Sequence, residues 1–315
     1  MREFTITKND SGQRLDKFLT KACPLLPQSL LYKYIRLKRI KVNGKKSELS
    51  YRLIENDLIS LYINDEFFEK KEDSLSFLSS KSTLNIVYED ENILLIDKPT
   101  GLVVHEDDRG STDTLIFRIL KYLYDKKEYD PKNENSFVPS LCNRIDRNTS
   151  GIVIAAKNAE TLRIINEKIK AREIEKYYKC LVMGHLSHKE GTLTGYLVKD
   201  ENKKQVTVSK KPCKDGKTII THYKVLKEFK EYSLLEVHLG TGRTHQIRAH
   251  FAHIGHPLLG DGKYGDYSFN KKVNQSYQLL CSYKLKFAFK ENSGNLEYLK
   301  NKTFCIKNVW FENGI

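Results

Sequence analysis

The sequence lacks any run of about 18 consecutive apolar residues, the length that a helix needs to cross a membrane. Residues 1–8 contain neither an apolar core nor a small-residue cleavage site, so no secretory signal is predicted. The six cysteines are scattered without a C-x-x-C pair, which argues against a zinc knuckle and against a disulfide framework. We therefore expect a cytoplasmic protein with reduced cysteines.

Motifs for cofactors are absent as well. The sequence has no P-loop and no G-x-G-x-x-G segment between a strand and a helix. His250, His253 and His256 stand at three-residue steps and could bind zinc from one side of a helix, but no other Cys, His or acidic group marks itself as the remaining ligand. We therefore expect no cofactor and no metal, and we interpret these histidines as structural or RNA-facing.

Positive charge is what the sequence has in excess. It contains 54 Lys and Arg against 40 Asp and Glu, which gives a net charge of +14. The mean hydropathy is -0.54 and the pI is about 9.3. Lys and Arg that neutralise phosphates release condensed counterions and so supply affinity for nucleic acid of any sequence. The composition predicts a polyanionic partner, and the alternative is a charge balance set only by solubility.

The length of 315 residues favours two domains, since most domains hold about 100 to 200 residues. The first 63 residues carry 13 Lys and Arg against 6 Asp and Glu, which accounts for half of the net charge. Apolar spacing predicts short helices at residues 14–19 and 30–37, then a strand at 39–42 and an Asn43-Gly44 turn. This small unit has a basic face, whose candidate RNA contacts are Lys33, Arg36, Lys38 and Arg39.

The remaining organisation is that of an α+β protein. Residues 67–83 are rich in Glu, Lys and Ser with little periodicity, so we place an N-terminal domain at 1–70, a linker at 71–83 and a second domain at 84–315. Residues 125–136 are crowded with polar side chains and predict an exposed insertion loop. Strands are predicted at 84–88, 93–96, 152–155, 178–183, 206–208, 223–226 and 234–237, and a helix at 159–172, without strict alternation of the two.

Asp146 is an unusual carboxylate, because Arg144 precedes it by two positions and Arg147 follows it directly. Guanidinium groups this close favour the ionised form of a carboxylate. An ionised carboxylate suits nucleophilic or electrostatic work rather than general acid catalysis, and two guanidinium groups would oppose a bound cation. The alternative is a plain ion pair that holds the loop.

A second basic cluster spans residues 240–256 and contains two Arg and four His. Arg248 is a candidate counterion for a distant carboxylate, and Arg243 is a candidate phosphate contact. A third segment, 175–179, places Tyr178 among Lys residues at the start of a predicted strand. Such a ring can stack on an extruded base, although either Tyr177 or Tyr178 must instead belong to the core.

Together, segments 97–105, 143–157, 176–184 and 242–265 resemble the RluA-type family of pseudouridine synthases, and residues 12–63 resemble the RNA-binding S4 domain. The resemblance implies that Asp146 is the catalytic residue, that Tyr178 stacks on the base and that Arg248 pairs with Asp146. It also implies a catalytic domain built on a mainly antiparallel sheet. RNA contacts are expected from Arg144, Arg147, Arg243 and His245, and Arg144 would help to displace the target nucleotide.

Two positions depart from the family pattern. Asn143 stands where the family usually has His, and Leu280-Cys281-Ser282 replaces a Leu-His-Ala element. The expected function is therefore an RNA pseudouridine synthase that needs no cofactor and acts as a monomer on large-subunit (23S) rRNA or on a pre-ribosomal particle. The alternatives are a tRNA-directed enzyme of the same family and a non-catalytic RNA-binding assembly factor.

Overall fold

The computed structural model describes residues 1–68, 72–106, 113–200 and 205–315. The chain forms two compact units whose segments interleave along the sequence. The first unit consists of Met1–Thr83, Thr112–Ser140 and Ala156–Arg163, and the second of Leu84–Ser111, Leu141–Ala155 and Ile164–Ile315. No helix within the described residues is both long enough and apolar enough to cross a membrane.

The first unit begins with two helices and a small sheet. Helix α1 (Leu15–Ala22) and helix α2 (Gln28–Arg36) form where the sequence predicts them, because their apolar residues recur at helical spacing and are buried together. The Asn43-Gly44 turn is confirmed, with φ of 50° and 74°, as a tight hairpin requires. An antiparallel sheet follows the order β1-β4-β2-β3, with β1 (Arg2–Thr5), β2 (Ile40–Val42), β3 (Lys45–Lys46) and β4 (Leu58–Leu61).

Part of the predicted linker is packed rather than extended. Residues Glu72–Ser79 form a 3-10 helix, and Phe77 is buried against the rings of Tyr124 and Tyr129. Tyr124 lies in helix α3 (Leu115–Asp125), whose first turn is capped by the Thr114 hydroxyl. The predicted boundary near residue 70 lies outside the described residues, and the division into 1–70, 71–83 and 84–315 stays a prediction.

The predicted insertion loop at 125–136 is only partly exposed, so that expectation is wrong in part. Its residues have no regular secondary structure after α3, but Tyr129 is buried. Asn135 Nδ2 and Ser136 Oγ donate hydrogen bonds of 2.8 and 2.6 Å to the carboxylate of Asp10, which is completely buried. Two polar side chains of the loop thus donate hydrogen bonds to a buried acceptor instead of to solvent.

The second unit is built on a large sheet, and eleven strands of the described residues belong to it in the order β11-β10-β12-β13-β9-β14-β8-β6-β5, with β15 beside β14 and β7 beside β8. The pairs are antiparallel in most of the sheet, while β14 and β8 run parallel. The expected mainly antiparallel sheet is confirmed. Its strands are β5 (Ile86–Glu89), β6 (Ile93–Lys98), β7 (Ser140–Leu141), β8 (Ser150–Ala156), β9 (Ile174–Met183), β10 (Glu190–Asp200), β11 (Gln205–Ser209), β12 (Lys217–Glu228), β13 (Tyr232–Leu239), β14 (Leu280–Phe287) and β15 (Thr303–Cys305).

The remaining helices are short, and the core lies on the central strands. Strands β6, β8 and β14 contribute fully buried aliphatic side chains such as Ile93, Ile152 and Leu285. Gly151 has a φ of 113°, and an added Cβ would collide with the backbone of Ser282. Only glycine allows β8 to approach β14 there, five residues after Asp146.

The remaining helices of the described residues are α4 (Ala159–Lys170), α5 (Gln246–His253), α6 (Tyr267–Lys272) and a 3-10 turn at Gly294–Leu299.

Candidate active site

The second unit contains a cleft with a volume of about 560 Å³. This volume lies within the range of about 300 to 1,000 Å³ that is usual for small-ligand sites, so one nucleoside fits. Segments that are far apart in sequence meet there, as the family resemblance predicts. The cleft is lined by residues 103–106, 142–147, 149, 169, 176, 178, 239, 242–248 and 280.

Asp146 and Arg248 form an ion pair in this cleft. Arg248 Nη1 donates a 2.7 Å hydrogen bond to Asp146 Oδ2. The Asp146 side chain is 26% exposed, whereas that of Arg248 is 8% exposed. Among the described residues, Asp146 Oδ1 has no hydrogen-bond partner. One carboxylate oxygen is therefore held by a cation, and the other is free to meet a ligand.

A second carboxylate, which sequence reasoning missed, clamps the arginine. Arg248 Nε and Nη2 donate hydrogen bonds of 2.7 and 2.9 Å to the two oxygens of Asp261, whose side chain has no exposed surface. Burial alone disfavours a charged guanidinium, but the hydrogen bonds and charge of Asp261, with those of Asp146, outweigh it and raise the pKa of Arg248. Arg248 is thus permanently charged and fixed in orientation. Sequence reasoning could have searched for a second carboxylate, because a buried arginine needs such a partner.

Tyr178 is the cleft-side member of the adjacent tyrosine pair. Its side chain is buried, and it lies on β9 directly opposite Ser282 of β14. Burial raises the pKa of Tyr178 to about 12, the Ser282 side chain opposes that shift, and the charge of Asp146 adds to it. The phenol is therefore neutral at physiological pH. Tyr177 points to the other face of the sheet, where its ring stacks on His238 at 4.6 Å.

Lys176 is a further cleft residue that the sequence analysis did not select. It stands two residues before Tyr178 on β9, so both side chains project to the same face of the sheet. Burial lowers the pKa of Lys176 to about 8. No carboxylate of the described residues pairs with it. A cationic group with little water and no counterion provides a strong site for an anion.

Lys98 ties the loop of Asp146 to a neighbouring loop. Its ammonium is completely buried and donates hydrogen bonds of 2.8 to 2.9 Å to the carbonyl oxygens of Pro99, Leu102 and Arg147. Burial lowers the pKa of Lys98 to about 7, although the charge of Asp146 opposes that shift. Gly101 N also donates to the Arg147 carbonyl oxygen. Segment 97–105, a weak signal in the sequence, thus fixes the backbone beside the catalytic candidate.

The arginines that flank Asp146 in sequence are not its partners. Arg144 and Arg147 are both exposed, and Arg147 Nε donates to the Gly101 carbonyl oxygen at 3.0 Å. Within the described residues neither guanidinium bonds to Asp146, so their expected effect on its ionisation stays a prediction. Arg144, Arg147 and the exposed Arg243 all line the cleft, where their charges face incoming ligand.

The Gly-Thr-Gly-Arg-Thr-His-Gln segment is held to the sheet by Gln246. This buried side chain donates to the Ile220 carbonyl oxygen and accepts from the Arg243 backbone N–H and the Thr241 hydroxyl. His245 consequently enters the cleft, with Nε2 lying 3.7 Å from Asp146 Oδ2. The zinc alternative finds no support, since no cluster of three His, Cys, Asp or Glu in the described residues could hold a metal. His250 Nδ1 instead meets the Thr221 hydroxyl at 3.0 Å, and His256 Nδ1 meets the Met183 carbonyl oxygen at 2.9 Å.

Comparison with known proteins agrees with this geometry. The family model described as RNA pseudouridylate synthase matches residues 92–253. An uncharacterised RNA pseudouridine synthase of Mycoplasma genitalium is 37% identical over 98% of this chain and 97% of its own. The chain belongs to the RNA pseudouridylate synthase family. It is thus an RNA pseudouridine synthase, which is an isomerase.

Two further proteins are similar to this enzyme over most of its length. Ribosomal large subunit pseudouridine synthase D of Borreliella burgdorferi is 33% identical over 93% of this chain and 86% of its own. The solved structure of human RNA pseudouridylate synthase domain containing 4 covers 71% of this chain and 88% of its own, with a TM-score of 0.56 and 21% identity. At that identity the human protein supports the fold alone.

The departures from the pseudouridine synthase pattern fall on buried side chains. Asn143 Oδ1 accepts a 2.8 Å hydrogen bond from the backbone N–H of Ile154, which fastens the segment before Arg144 to β8. Cys281 is buried in an apolar cluster. Ser282, the last residue of the second departure, lies directly opposite Tyr178, so this departure reaches the residue that is the candidate base platform. In the first unit of the synthase, the predicted RNA contacts Lys33, Arg36, Lys38 and Arg39 are all exposed.

Proposed function

We propose that this pseudouridine synthase isomerises uridine in large-subunit (23S) rRNA and that Asp146 is its catalytic carboxylate, with Tyr178 as the base platform and Arg248 as the residue that holds Asp146. One observation supports these roles above all. Asp146 has Oδ2 fixed by a clamped arginine and Oδ1 unoccupied, in a cleft that the buried neutral ring of Tyr178 also lines.

The arrangement of carboxylates favours isomerisation over hydrolysis. Formation of pseudouridine breaks the bond between N1 and C1′, turns the uracil and joins C5 to C1′, with no group lost. A glycoside hydrolase usually needs two carboxyl groups beside the bond, one of them protonated, and room for water. Asp261 does not qualify as a second acid, because both of its oxygens are engaged by Arg248 and its side chain is fully buried.

The proposed chemistry starts from an ionised carboxylate. Arg248 stabilises the negative charge on Oδ2, so Oδ1 is available to attack C1′, to add to the base or to remove a proton from the sugar. All three routes use the same charged group. The uridine must leave its stack in the RNA, at a cost of a few kcal/mol, and the cations at the cleft mouth would offset that cost by binding phosphates. Those cations are Arg144, Arg147, Lys176 and Arg243.

The choice of rRNA rests on relatives whose names specify the ribosomal large subunit, such as the enzyme of Borreliella burgdorferi. An enzyme with that substrate, free or in a pre-ribosomal particle, works in the cytoplasm. The S4-like region would add affinity through the exposed cations of α2 and the turn that follows it. We propose a monomer, because one copy of the chain supplies every residue of the cleft.

Replacement of Asp146 by Asn tests the catalytic role. The variant removes the charge with little change in shape, so it should bind RNA with nearly unchanged affinity and release no tritium from RNA labelled at uridine C5. Asp215→Asn is the matched control, since Asp215 is exposed in the same unit and its φ of 63° suits asparagine. Substantial turnover by Asp146→Asn would contradict the assignment. Carbodiimide mapping of rRNA and tRNA, with and without the gene, then identifies the substrate.

A further inference from the structure

His245 stands at the first turn of α5 and faces the catalytic carboxylate. Its Nε2 lies 3.7 Å from Asp146 Oδ2, and its Nδ1 lies 2.9 Å from the hydroxyl oxygen of Tyr264. The backbone of His245 is left-handed, with a φ of 54°, a conformation that L residues rarely adopt. Strain of this kind persists where the surrounding structure fixes a side chain for a purpose.

Tyr264 decides which nitrogen of His245 carries the proton. The backbone N–H of Val206 on β11 donates a 3.0 Å hydrogen bond to the Tyr264 hydroxyl oxygen. A phenol has one proton to give, and among the residues that the structure describes the remaining neighbour within hydrogen-bond distance is Nδ1 of His245. When Nδ1 accepts that proton, the neutral imidazole must carry its own proton on Nε2. The Nε2–H then points at Asp146.

We infer that His245 is a positioning residue for Asp146: a neutral imidazole, set by Tyr264 as the Nε2–H tautomer, whose N–H dipole lies 3.7 Å from Oδ2, beyond hydrogen-bond distance, and supports from there the oxygen that Arg248 binds. Oδ1 is thereby left to the uridine. This inference rests on the proposed role of Asp146. It extends that role, because it assigns a task to a residue that the sequence analysis predicted only as an RNA contact.

Burial and two nearby cations favour the neutral form of the His245 imidazole. Burial is the main cause that lowers the pKa of His245, and the charges of Arg248 and Lys263 lower it further. The charges of Asp146 and Asp261 act in the opposite direction but do not cancel the shift. A neutral donor orients the carboxylate without adding a second full positive charge, which would make Asp146 a weaker nucleophile and base.

The pH profile of kcat in His245 variants tests the inference. Wild-type kcat should fall on the acid side as His245 becomes a cation. His245→Gln keeps an uncharged N–H donor, so it should retain most of the activity, and its acid limb should lie at lower pH than that of the wild type. His245→Ala should reduce kcat by about 10-fold, because the N–H dipole beside Oδ2 is lost, with an unchanged KM for RNA. An acid limb at the wild-type pH in His245→Gln would overturn the inference.

Tyr264→Phe gives a prediction with a definite sign. Removal of a proton donor to Nδ1 destabilises the neutral imidazole, so the pKa of His245 should rise and the acid limb should move to higher pH. If Nδ1–H instead donates to Tyr264, the same variant removes an acceptor and the limb moves to lower pH. That outcome, or a uniform loss of activity with no shift, would overturn the assigned tautomer.

The tautomer of His245 can also be determined without an activity assay. ¹⁵N NMR of the full-length enzyme with labelled histidine, free of RNA, reports which ring nitrogen is protonated, and His245→Gln identifies the resonances by their loss. A proton on Nε2 supports the inference, and a proton on Nδ1 contradicts it. This measurement is independent of Asp146→Asn, so failure of the proposed catalytic role and failure of the tautomer assignment are distinguishable.

Discussion

The cleft of the second unit and the basic surface of the first unit use positive charge in opposite ways. In the cleft, Arg248 bonds to two carboxylates at once, and beside the cleft Lys98 donates to three carbonyl oxygens, so each side chain has one position. On the first unit, Lys33, Arg36 and Lys38 are exposed and have no carboxylate partner among the described residues. Chemistry requires a fixed charge at one place, whereas affinity for a polyanion depends mainly on how many charges are available.

Of the substitutions that test this difference, replacement of Arg248 by Lys should have the largest effect on kcat. An ammonium cannot bond to Asp146 and both oxygens of Asp261 at once, so kcat should fall by about 100-fold or more while RNA affinity changes little. Single-turnover tritium release checks the chemistry, and filter binding checks the affinity. Arg243→Lys is the control, since its exposed guanidinium has no such clamp. Equal losses in both variants would mean that the clamp contributes nothing to catalysis.

Replacement of Lys176 by Gln should give an intermediate effect, on binding more than on chemistry. The slope of log affinity against log salt should decrease by about 0.7 to 0.9, as for one phosphate contact. Since the pKa of Lys176 is about 8, its charge is lost as pH rises through that value, and wild-type RNA affinity should fall between pH 7 and 9. The variant should not show this fall. A wild-type affinity that is constant over this range would exclude a phosphate contact at Lys176.

Removal of two charges from the first unit should give the smallest effect on turnover. In Lys33→Gln with Arg36→Gln, we expect a several-fold higher KM and a smaller salt slope, with kcat at saturating RNA unchanged. Steady-state kinetics at two salt concentrations measures both quantities. Lys214→Gln with Lys217→Gln, an exposed pair of the second unit at the same three-residue spacing, is the matched control. A fall in kcat at saturating RNA would show that this surface does more than bind.

The fold was predictable where local pattern decides it. Residues 28–36 became helical and residues 40–46 a hairpin, because the apolar spacing and the Asn43-Gly44 turn already specify them. The docking of residues 125–136 was not predictable, since it depends on Asp10, which is more than 100 residues away. The interleaving of the two units has the same origin. It is a property of tertiary contacts and not of any one segment.

The candidate site likewise contains residues that the sequence predicts and residues that only the folded structure reveals. Asp146, Tyr178 and Arg248 stand in motifs that sequence alone brings forward. Asp261 and Tyr264 were missed because each matters only through a residue that it touches after the chain has folded. Lys176 could have been found, since alternation along a strand places it on the face of Tyr178.

The position of β8 beside β14 sets the time at which the enzyme can first act. Asp146 and Gly151 are synthesised about halfway along the chain, but the strand that packs on Gly151 ends at Phe287. Contacts between residues so distant in sequence form late, after the loop between them has been closed. A nascent chain that stops short of β14 therefore carries Asp146 but lacks Leu280 of the cleft and the strand that packs on Gly151. We expect productive binding of RNA only after β14 has left the ribosome.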